Sequence, residues 1–361
     1  MSDGAVFLDF DDGAVRAALS RLHDQLGVRV GARLPWLLAW RETYVAWRPW
    51  LLVLHDRAGD IRAAAPLAVR RRAGLLRVAA LGDTELDRSP IVYRSETDGV
   101  ELAQAVSGAL RELSSPWRLD LHLLPRGSSF TAELGRRLEP AKLYPGADRP
   151  IVSLPGRCEP REVLSLNLHK AERRARNRIA RAGLRFEERW LAGAEAIAWS
   201  LPEVRGVHRE RDLQLRGRSG LDDRREGRFW DALVRLHLPA LELLEIRIES
   251  QLAAYLLWIR DGSWRYVLDN RVSPRWMQYS AGLIANNSAL RRAALDERVA
   301  VLDWGSGVQR YKLQSATEVL HQDVLFAWSS RAVRGAFALE HELRRREWLS
   351  SVAGWALPRP D

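Results

Sequence analysis

Three apolar segments follow one another in the second half of the chain, and their spacing limits the possible folds more than any other feature. They span residues 243–248, 252–259 and 263–270, and each connection between them is three residues long. Connections this short join antiparallel strands, because a parallel pair needs a crossover of a dozen or more residues. A helix is predicted next over residues 282–295, followed by a strand over 299–304. This order predicts an antiparallel sheet that continues through a helical crossover.

The length of the chain indicates two domains. A chain of 361 residues suits two hydrophobic cores of roughly 150 residues each. Residues 144–150, Tyr-Pro-Gly-Ala-Asp-Arg-Pro, concentrate turn-forming residues and give the best boundary. We predict a first domain over residues 1–150, a second over 151–330, and a C-terminal helix and tail over 331–361. The predicted fold class is α/β (α+β), with helices flanking a mixed, largely antiparallel sheet in each domain.

Composition favours a globular protein of a reducing compartment. Hydrophobic residues make up 47% and charged residues 28%, which is typical of a folded chain. The single cysteine, Cys158, excludes an intramolecular disulfide framework and a thiolate zinc site. The N-terminus lacks the pattern of a signal peptide, and no apolar run approaches the ~18 residues that span a bilayer. We therefore expect a cytoplasmic protein without membrane insertion.

A strong excess of basic residues biases the chain toward polyanions. The formal charge is +10, which favours nucleic acid, phosphorylated cofactors or anionic surfaces as partners. Much of this charge falls in a predicted helix over residues 161–182, whose apolar stripe leaves the other faces largely cationic. The stripe consists of Leu164, Leu168, Ala171, Ala175, Ile179 and Ala182. The possible RNA or phosphate contacts are Arg173, Arg174, Arg178 and Arg181. The alternative is an ordinary solvated helix face.

A short glycine-containing loop precedes the predicted helix at residues 282–295. Ser280, Ala281 and Gly282 lie where the first backbone amides of that helix lack partners and can bind a phosphate or an acyl oxygen. These three residues are the candidate donor-binding group. The alternative is that Gly282 merely permits a turn.

Candidate catalytic residues lie at the end of the second domain. Asp303 ends an apolar strand beside a glycine-rich turn, where it can deprotonate an ammonium or cap the turn. Tyr311 and Lys312 can donate protons or bind phosphate. Tyr266 and Asp269 are alternative site groups, but strict strand alternation would put them on opposite faces. No histidine pattern predicts a metal site.

Three motifs, in this order, resemble one family of enzymes. The arginine-rich helix at residues 166–178, the loop Tyr-Ser-Ala-Gly-Leu-Ile at 279–284, and Asp-Trp-Gly followed by Tyr-Lys at 303–312 are similar to segments of CelD/BcsL-type and FemAB-like acyltransferases. These proteins belong to the GNAT superfamily. Alanine replaces the usual proline of the loop, and the typical Arg/Gln-x-x-Gly-x-Gly/Ala pyrophosphate motif of GNAT proteins is not recognisable.

The resemblance implies two GNAT-like lobes and a metal-free acyl transfer to an amine or a hydroxyl. Some members are thought to use acyl-CoA, whereas the FemAB branch takes an aminoacyl group from charged tRNA. The leading expectation is an N-acyltransferase with acyl-CoA as donor and a small-molecule or sugar amine as acceptor. The alternative is an aminoacyl-tRNA-dependent transferase, with tRNA as a partner. A third possibility is a GNAT-like module without catalysis that binds RNA or serves as a scaffold.

Overall fold

The computed structural model describes residues 5–72, 74–82, 89–154, 156 and 158–337. The chain divides into two compact units. Among the described residues, the first contains those up to Asp148, together with 306–308 and those from Leu320 to 337. The second contains residues 149–305 and 309–319. No helix in the described part of the chain combines the length and apolar character needed to cross a membrane.

The first unit is built on a mixed sheet of eight strands, counted over the described residues, with the order β1-β2-β3-β4-β6-β15-β7 and β5 paired to β3. Its helices are α1 (Gly13–Leu26), α2 (Leu34–Thr43), α3 (Glu96–Arg111) and α4 (Ser129–Arg137). Its strands are β1 (Ala5–Leu8), β2 (Arg48–His55), β3 (Ile61–Arg72), β4 (Leu75–Ala80), β5 (Val92–Tyr93), β6 (Trp117–Pro125), β7 (Ala141–Pro145) and β15 (Gln322–Trp328). Alternate residues of β6, such as Leu119 and Leu121, pack with α3 and α4 in its core.

The second unit contains seven strands in its described part, with the order β14-β8-β13-β12-β11-β10-β9. Its strands are β8 (Arg149–Ser153), β9 (Phe186–Ala192), β10 (Leu241–Ile248), β11 (Gln251–Asp261), β12 (Trp264–Val272), β13 (Val301–Asp303) and β14 (Glu318–Leu320). Its helices are α5 (Pro160–Val163), α6 (Leu166–Arg181), α7 (Ala194–Arg216), α8 (Arg224–His237), α9 (Ala281–Leu295) and α10 (Arg310–Leu313). A 3₁₀ segment, Pro274–Tyr279, joins β12 to α9.

Helices cover the two faces of this second sheet differently. Alternate strand residues such as Leu256 and Trp258 form a core with α6 and α9. On the opposite face, Tyr255 of β11 contacts His208 of α7. Because successive side chains of a strand alternate between the faces, each strand residue near the candidate site can be assigned to the α9 face or to the α7 face.

The expected fold class is confirmed, since both units are mixed sheets flanked by helices. The strands β10, β11 and β12 form the expected antiparallel meander, and β13 then pairs parallel to β12. The long helix expected over residues 161–182 is interrupted, because Leu164 and Ser165 take extended backbone angles and Ser165 caps α6 by accepting the Leu168 N–H.

The domain division differs from the sequence-based one in one respect. The chain passes between units at Asp148 and Arg149, next to the expected boundary, but β15 returns to the first sheet between β6 and β7. Residues 320–330 therefore belong to the first unit and not to the predicted second domain. The turn predicted over residues 144–150 is shorter than expected, because its ends lie in β7 and β8. Of the C-terminal helix predicted over residues 331–349, the structure describes residues 331–337, which are helical; the remainder and the tail lie outside the described residues.

Candidate active site

An opening between β12 and β13 organises the site. The two strands pair in parallel only from Trp264 with Val301 to Tyr266 with Asp303. There β13 ends, whereas β12 continues to Val272. We call the space beside residues 267–272 of β12 the strand opening. The short helix α10 and the start of α9 supply the further groups described below.

A β-bulge in β12 changes which residues share a face. Trp258 of β11 pairs with Val267, but the preceding residue, Leu257, pairs with Asp269, so Leu268 is an extra residue. Tyr266 and Asp269 consequently lie on the same face, which is the α7 face. The expectation from strict alternation that they lie on opposite faces is wrong, because the inserted residue shifts the alternation by one position.

Asp303 is buried in an ion pair. It is 1% exposed and Arg149 of β8 is fully buried. Nε of the guanidinium donates to Oδ1 at 2.9 Å and to Oδ2 at 2.8 Å, and Nη2 lies 2.8 Å from Oδ2 in the ion pair. Asp303 also accepts the Gly305 N–H at 2.9 Å, which is the turn-capping contact considered above. The geometry therefore makes Asp303 an anchor for Arg149 and for the glycine turn.

Lys312 is a buried amine beside this pair. Its side chain extends to the carbonyl oxygen of Gly305, to which Nζ donates at 3.3 Å. Burial lowers the pKa of Lys312 to about 7, with Asp303 opposing the change and Arg149 and Arg271 adding to it. An amine with this pKa is partly neutral at physiological pH, so it can accept a proton as well as donate one.

Tyr311 lies on the other side of α10. Its hydroxyl and the side-chain amide of Asn270 form a hydrogen bond at 3.3 Å. Asn270 also contacts Asn286 of α9, so this pair belongs to the α9 face. Burial raises the pKa of the Tyr311 phenol, and the phenol therefore keeps its proton and can donate it.

The start of α9 has the properties of an anion site. Ser280 adopts a left-handed backbone conformation with φ of 56°, and no acidic residue lies in the first turn. The Ser280 carbonyl accepts the N–H groups of Leu283 and Ile284, so the amides of Ala281 and Gly282 precede the intrahelical bonds. Gly282 has no positive φ, and a Cβ there would meet Val272 at an ordinary 3.5 Å. The turn therefore depends on Ser280 rather than on glycine at position 282.

The basic helix α6 extends to this helix start. Arg178 donates to the Ser280 hydroxyl at 2.7 Å, so the structure brings together a predicted phosphate contact and a predicted donor-binding residue. Arg174 and Arg181 lie on the same helical face as Arg178 at spacings of four and three residues, and Lys170 extends this row. All four are exposed, and the row is about 17 Å long at the helical rise. Arg173 is also exposed but points about 100° away from the row.

A buried carboxylate holds α6 against α9. Glu172 is 6% exposed and forms a bidentate ion pair with Arg291. It also accepts from Asn287 at 3.1 Å and from Arg176 at 2.9 Å. Arg176 is therefore engaged inside the protein, whereas Arg173, Arg174, Arg178 and Arg181 have no carboxylate partner in the part of the chain that the structure describes.

The sequence reasoning missed a charged cluster on the α7 face. His208 of α7 bridges two buried carboxylates, with Nδ1 at 2.7 Å from Asp269 and Nε2 at 3.2 Å from Asp212. Tyr255 donates to Asp269 at 2.6 Å, and Arg271 pairs with it at 2.9 Å. Burial opposes protonation of His208, but the two carboxylates outweigh it and raise its pKa to about 9. The spacing of His208 and Asp212, one helical turn apart, is the only sequence signal for this cluster. The third member, Asp269, could not be assigned to the same face, because the bulge in β12 is not visible in the sequence.

Several predicted residues therefore lie around one opening, on two faces. Asp303 and Lys312 lie with the α7-face groups, whereas Tyr311 and the Ser280–Gly282 loop lie toward α9. Within the described residues, no group of three or more His, Cys, Asp or Glu side chains could hold a metal ion.

Comparison with known proteins matches this region to a family model. Residues 167–313 match the Acetyltransferase (GNAT) domain. No curated protein sequence matches the chain.

Solved structures match over most of their length. A conserved protein of unknown function from Bacteroides thetaiotaomicron VPI-5482 is 13% identical, with 89% of this chain and 99% of that chain covered and a TM-score of 0.55. FemX is 10% identical, with 84% and 95% covered and a TM-score of 0.54. The C-terminal domain of a candidate lysylphosphatidylglycerol synthetase from Agrobacterium fabrum is 13% identical, with 90% and 94% covered and a TM-score of 0.51.

At these low sequence identities the solved structures establish the fold alone. The family match extends from α6 to α10 and therefore includes the strands and helices around the strand opening. The resemblance inferred from the sequence motifs is confirmed for this part of the chain: residues 167–313 are similar to the GNAT acetyltransferase domain, which supports an acyltransferase activity.

Proposed function

We propose that the protein transfers an acyl group from an acyl-CoA thioester to the amine of a small-molecule or sugar acceptor. The observation that carries the proposal is the pairing of a near-neutral amine, Lys312, with a protonated phenol, Tyr311, on the two sides of one strand opening. Acyl transfer needs a base for the attacking ammonium and an acid for the leaving group. The two residues match these two needs.

The proposed reaction runs across the opening. Lys312 takes a proton from the acceptor ammonium, and the neutral amine attacks the carbonyl carbon of the thioester. The new C–N bond forms, the C–S bond breaks, and Tyr311 donates its proton to the departing sulfur. The nitrogen of the new amide then loses its second proton to the Tyr311 phenolate, which restores the phenol. The buried Asp303–Arg149 pair keeps the Gly305 carbonyl, and through it Lys312, in position.

The start of α9 supports the binding of the donor phosphates. Free amides at a helix N-terminus attract anions, and the Arg178 guanidinium adds a charge at the same place. These groups suit the pyrophosphate of CoA, although the usual sequence motif for it is missing.

The row of cations on α6 favours a second candidate, the transfer of an aminoacyl group from charged tRNA. A pyrophosphate needs only a few local contacts, whereas Lys170, Arg174, Arg178 and Arg181 extend along about 17 Å. This is the arrangement expected for successive backbone phosphates. The leaving oxygen of the tRNA ribose would then take the proton from Tyr311.

A donor test separates the two candidates. The purified protein is incubated with a panel of amines and either radiolabelled acetyl-CoA or a pool of tRNA charged with labelled amino acids. Label in an amide product from acetyl-CoA alone supports the first candidate, and label from charged tRNA alone supports the second. A Lys312→Met variant is the control for enzyme-dependent transfer. Absence of transfer from both donors would contradict an active transferase and favour a noncatalytic role.

A further inference from the structure

Arg211 of α7 is a half-buried cation in an unusual environment. Its guanidinium contacts the Sδ atom of Met277 at 2.9 Å and the side chain of Gln214. Neither group carries a charge, and a thioether is a weak hydrogen-bond acceptor. Among the described residues, Arg211 has no carboxylate partner, although it lies near the Arg271 guanidinium. Burial and this neighbouring cation both lower the pKa of Arg211.

The carboxylates next to Arg211 in the sequence are engaged elsewhere. Glu210 accepts from the Ser273 hydroxyl at 3.1 Å. Asp212 bonds His208 at 3.2 Å and also accepts from Ser219 at 3.3 Å. Asp269, another carboxylate of this face, is shared by three donors. The cluster is thus balanced without Arg211, which remains as an additional positive charge.

A partly desolvated cation without a counterion is unfavourable, and an anionic ligand would compensate for it through a charge-assisted hydrogen bond. The position of Arg211 suits such a ligand. Met277 belongs to the 3₁₀ segment that joins β12 to α9, three residues before Ser280. Arg178 reaches the same connection from α6, whereas Arg211 reaches it from α7, on the opposite face of the sheet. Arg178 is the cation on the donor side, so Arg211 serves a different group.

We propose that Arg211 binds an anionic group, a carboxylate or a phosphate, that is carried by the acceptor amine. The assignment to the acceptor rests on the proposed function, whereas the anion site itself does not. Acceptors would then be amines with a nearby acidic group, and Arg211 would orient the amine on the α7 face, where Lys312 is located.

Direct binding of a simple anion tests the site. The protein is titrated with inorganic phosphate at constant ionic strength and in the presence of saturating CoA, which fills the proposed phosphate site at the start of α9, and the phosphate affinity is obtained from the further rise in Tm. Arg211→Gln should weaken this affinity roughly 10- to 100-fold, which is the range for one charge-assisted hydrogen bond. Arg209→Gln is the matched control on the same helix, because Arg209 lies in an exposed ion pair with Asp222. It should leave the affinity unchanged, and Arg211→Lys should retain part of it.

Two further measurements identify the source of the anion. Wild type and Arg211→Gln should bind CoA with the same affinity, and the two proteins should also bind dephospho-CoA with the same affinity, since the anion bound by Arg211 is not the donor's 3′-phosphate. The preference for lysine over lysinamide as acceptor, measured as kcat/KM, should be lost in Arg211→Gln.

Full phosphate binding in Arg211→Gln, or none in wild type, would overturn the anion site. A selective loss of CoA binding would overturn its assignment to the acceptor. If no donor supports transfer but phosphate binding still requires Arg211, the proposed function fails and the anion site stands.

Discussion

Replacement of Lys312 by methionine tests the central group of the candidate site. Methionine fills a similar volume without a charge, so the buried surroundings remain packed. If Lys312 is the general base, kcat/KM should fall ~10²–10⁴-fold. The wild-type rate should rise with pH up to about 7 and then level off, because the neutral amine is the active form. The variant should lack this inflection.

The low pKa of Lys312 also predicts a pH-dependent difference in stability. In the unfolded chain this amine binds a proton below its usual pKa near 10.5, but in the folded protein only below about 7. Between these values the unfolded state holds more protons, so the stability of the wild type rises with pH relative to Lys312→Met. The slope is about 1.4 kcal/mol per pH unit, and the whole difference is roughly 5 kcal/mol.

Two assays measure these effects. Initial rates are recorded from pH 5.5 to about 9 with an acceptor of low pKa, so that its own titration falls below the range of interest. Urea unfolding of both proteins at about pH 7, 8 and 9 gives the difference in free energy. Lys312→Arg, which keeps the charge, should be as inactive as the methionine variant. A stability difference that does not change with pH would refute a low pKa for Lys312, and an unchanged rate profile in the variant would refute its role as base.

Three other residues or groups give sharp expectations. Asp303→Asn should destabilise the protein by about 3–5 kcal/mol, because Arg149 loses its buried counterion, and the double variant Arg149→Met/Asp303→Leu should recover much of that in urea unfolding. Reversal of the charges in the exposed α6 row should reduce the slope of log affinity for tRNA against log salt concentration by roughly 0.7–0.9 per lost phosphate contact. The rate with acetyl-CoA should largely persist. That variant replaces Arg174 and Arg181 with glutamate and leaves Arg178, the residue beside the donor-binding helix start, unchanged. Gly282→Ala should bind the donor nearly as wild type, since its Cβ meets Val272 at 3.5 Å, whereas Gly282→Asp should lose donor affinity in calorimetry because it adds a carboxylate at the helix start.

The sequence predicted the meander and the helical crossover of the second unit because both depend on local signals. Short connections and apolar periodicity are properties of neighbouring residues, and β10, β11 and β12 lie within a few residues of their expected bounds. The return of β15 to the first sheet depends instead on pairing with β6, from which it is separated by nearly 200 residues. No local pattern distinguishes this pairing from a continued second domain.

Residues of the candidate site that belong to a sequence motif were predictable, whereas residues brought to the site only by the tertiary structure were not. Ser280, Asp303, Tyr311 and Lys312 come from recognisable segments, and all of them lie in the second unit. The partner of Asp303, Arg149, lies 154 positions away, and no spacing rule connects them. The face of Asp269 depends on the bulge, which a strictly alternating strand pattern cannot indicate.

The two units differ in the charge at corresponding helix starts, and this difference bears on where the donor binds. In the first unit, α3 precedes β6, which pairs parallel to β4, just as α9 precedes β13, which pairs parallel to β12. The first turn of α3 contains Glu96 and Asp98, and Arg62 pairs with Asp98. These carboxylates already satisfy the positive end of the helix and would repel a phosphate. The first turn of α9 has no acidic residue and has Arg178 beside it, so of these two corresponding helix starts that of α9 is the one suited to a phosphorylated donor.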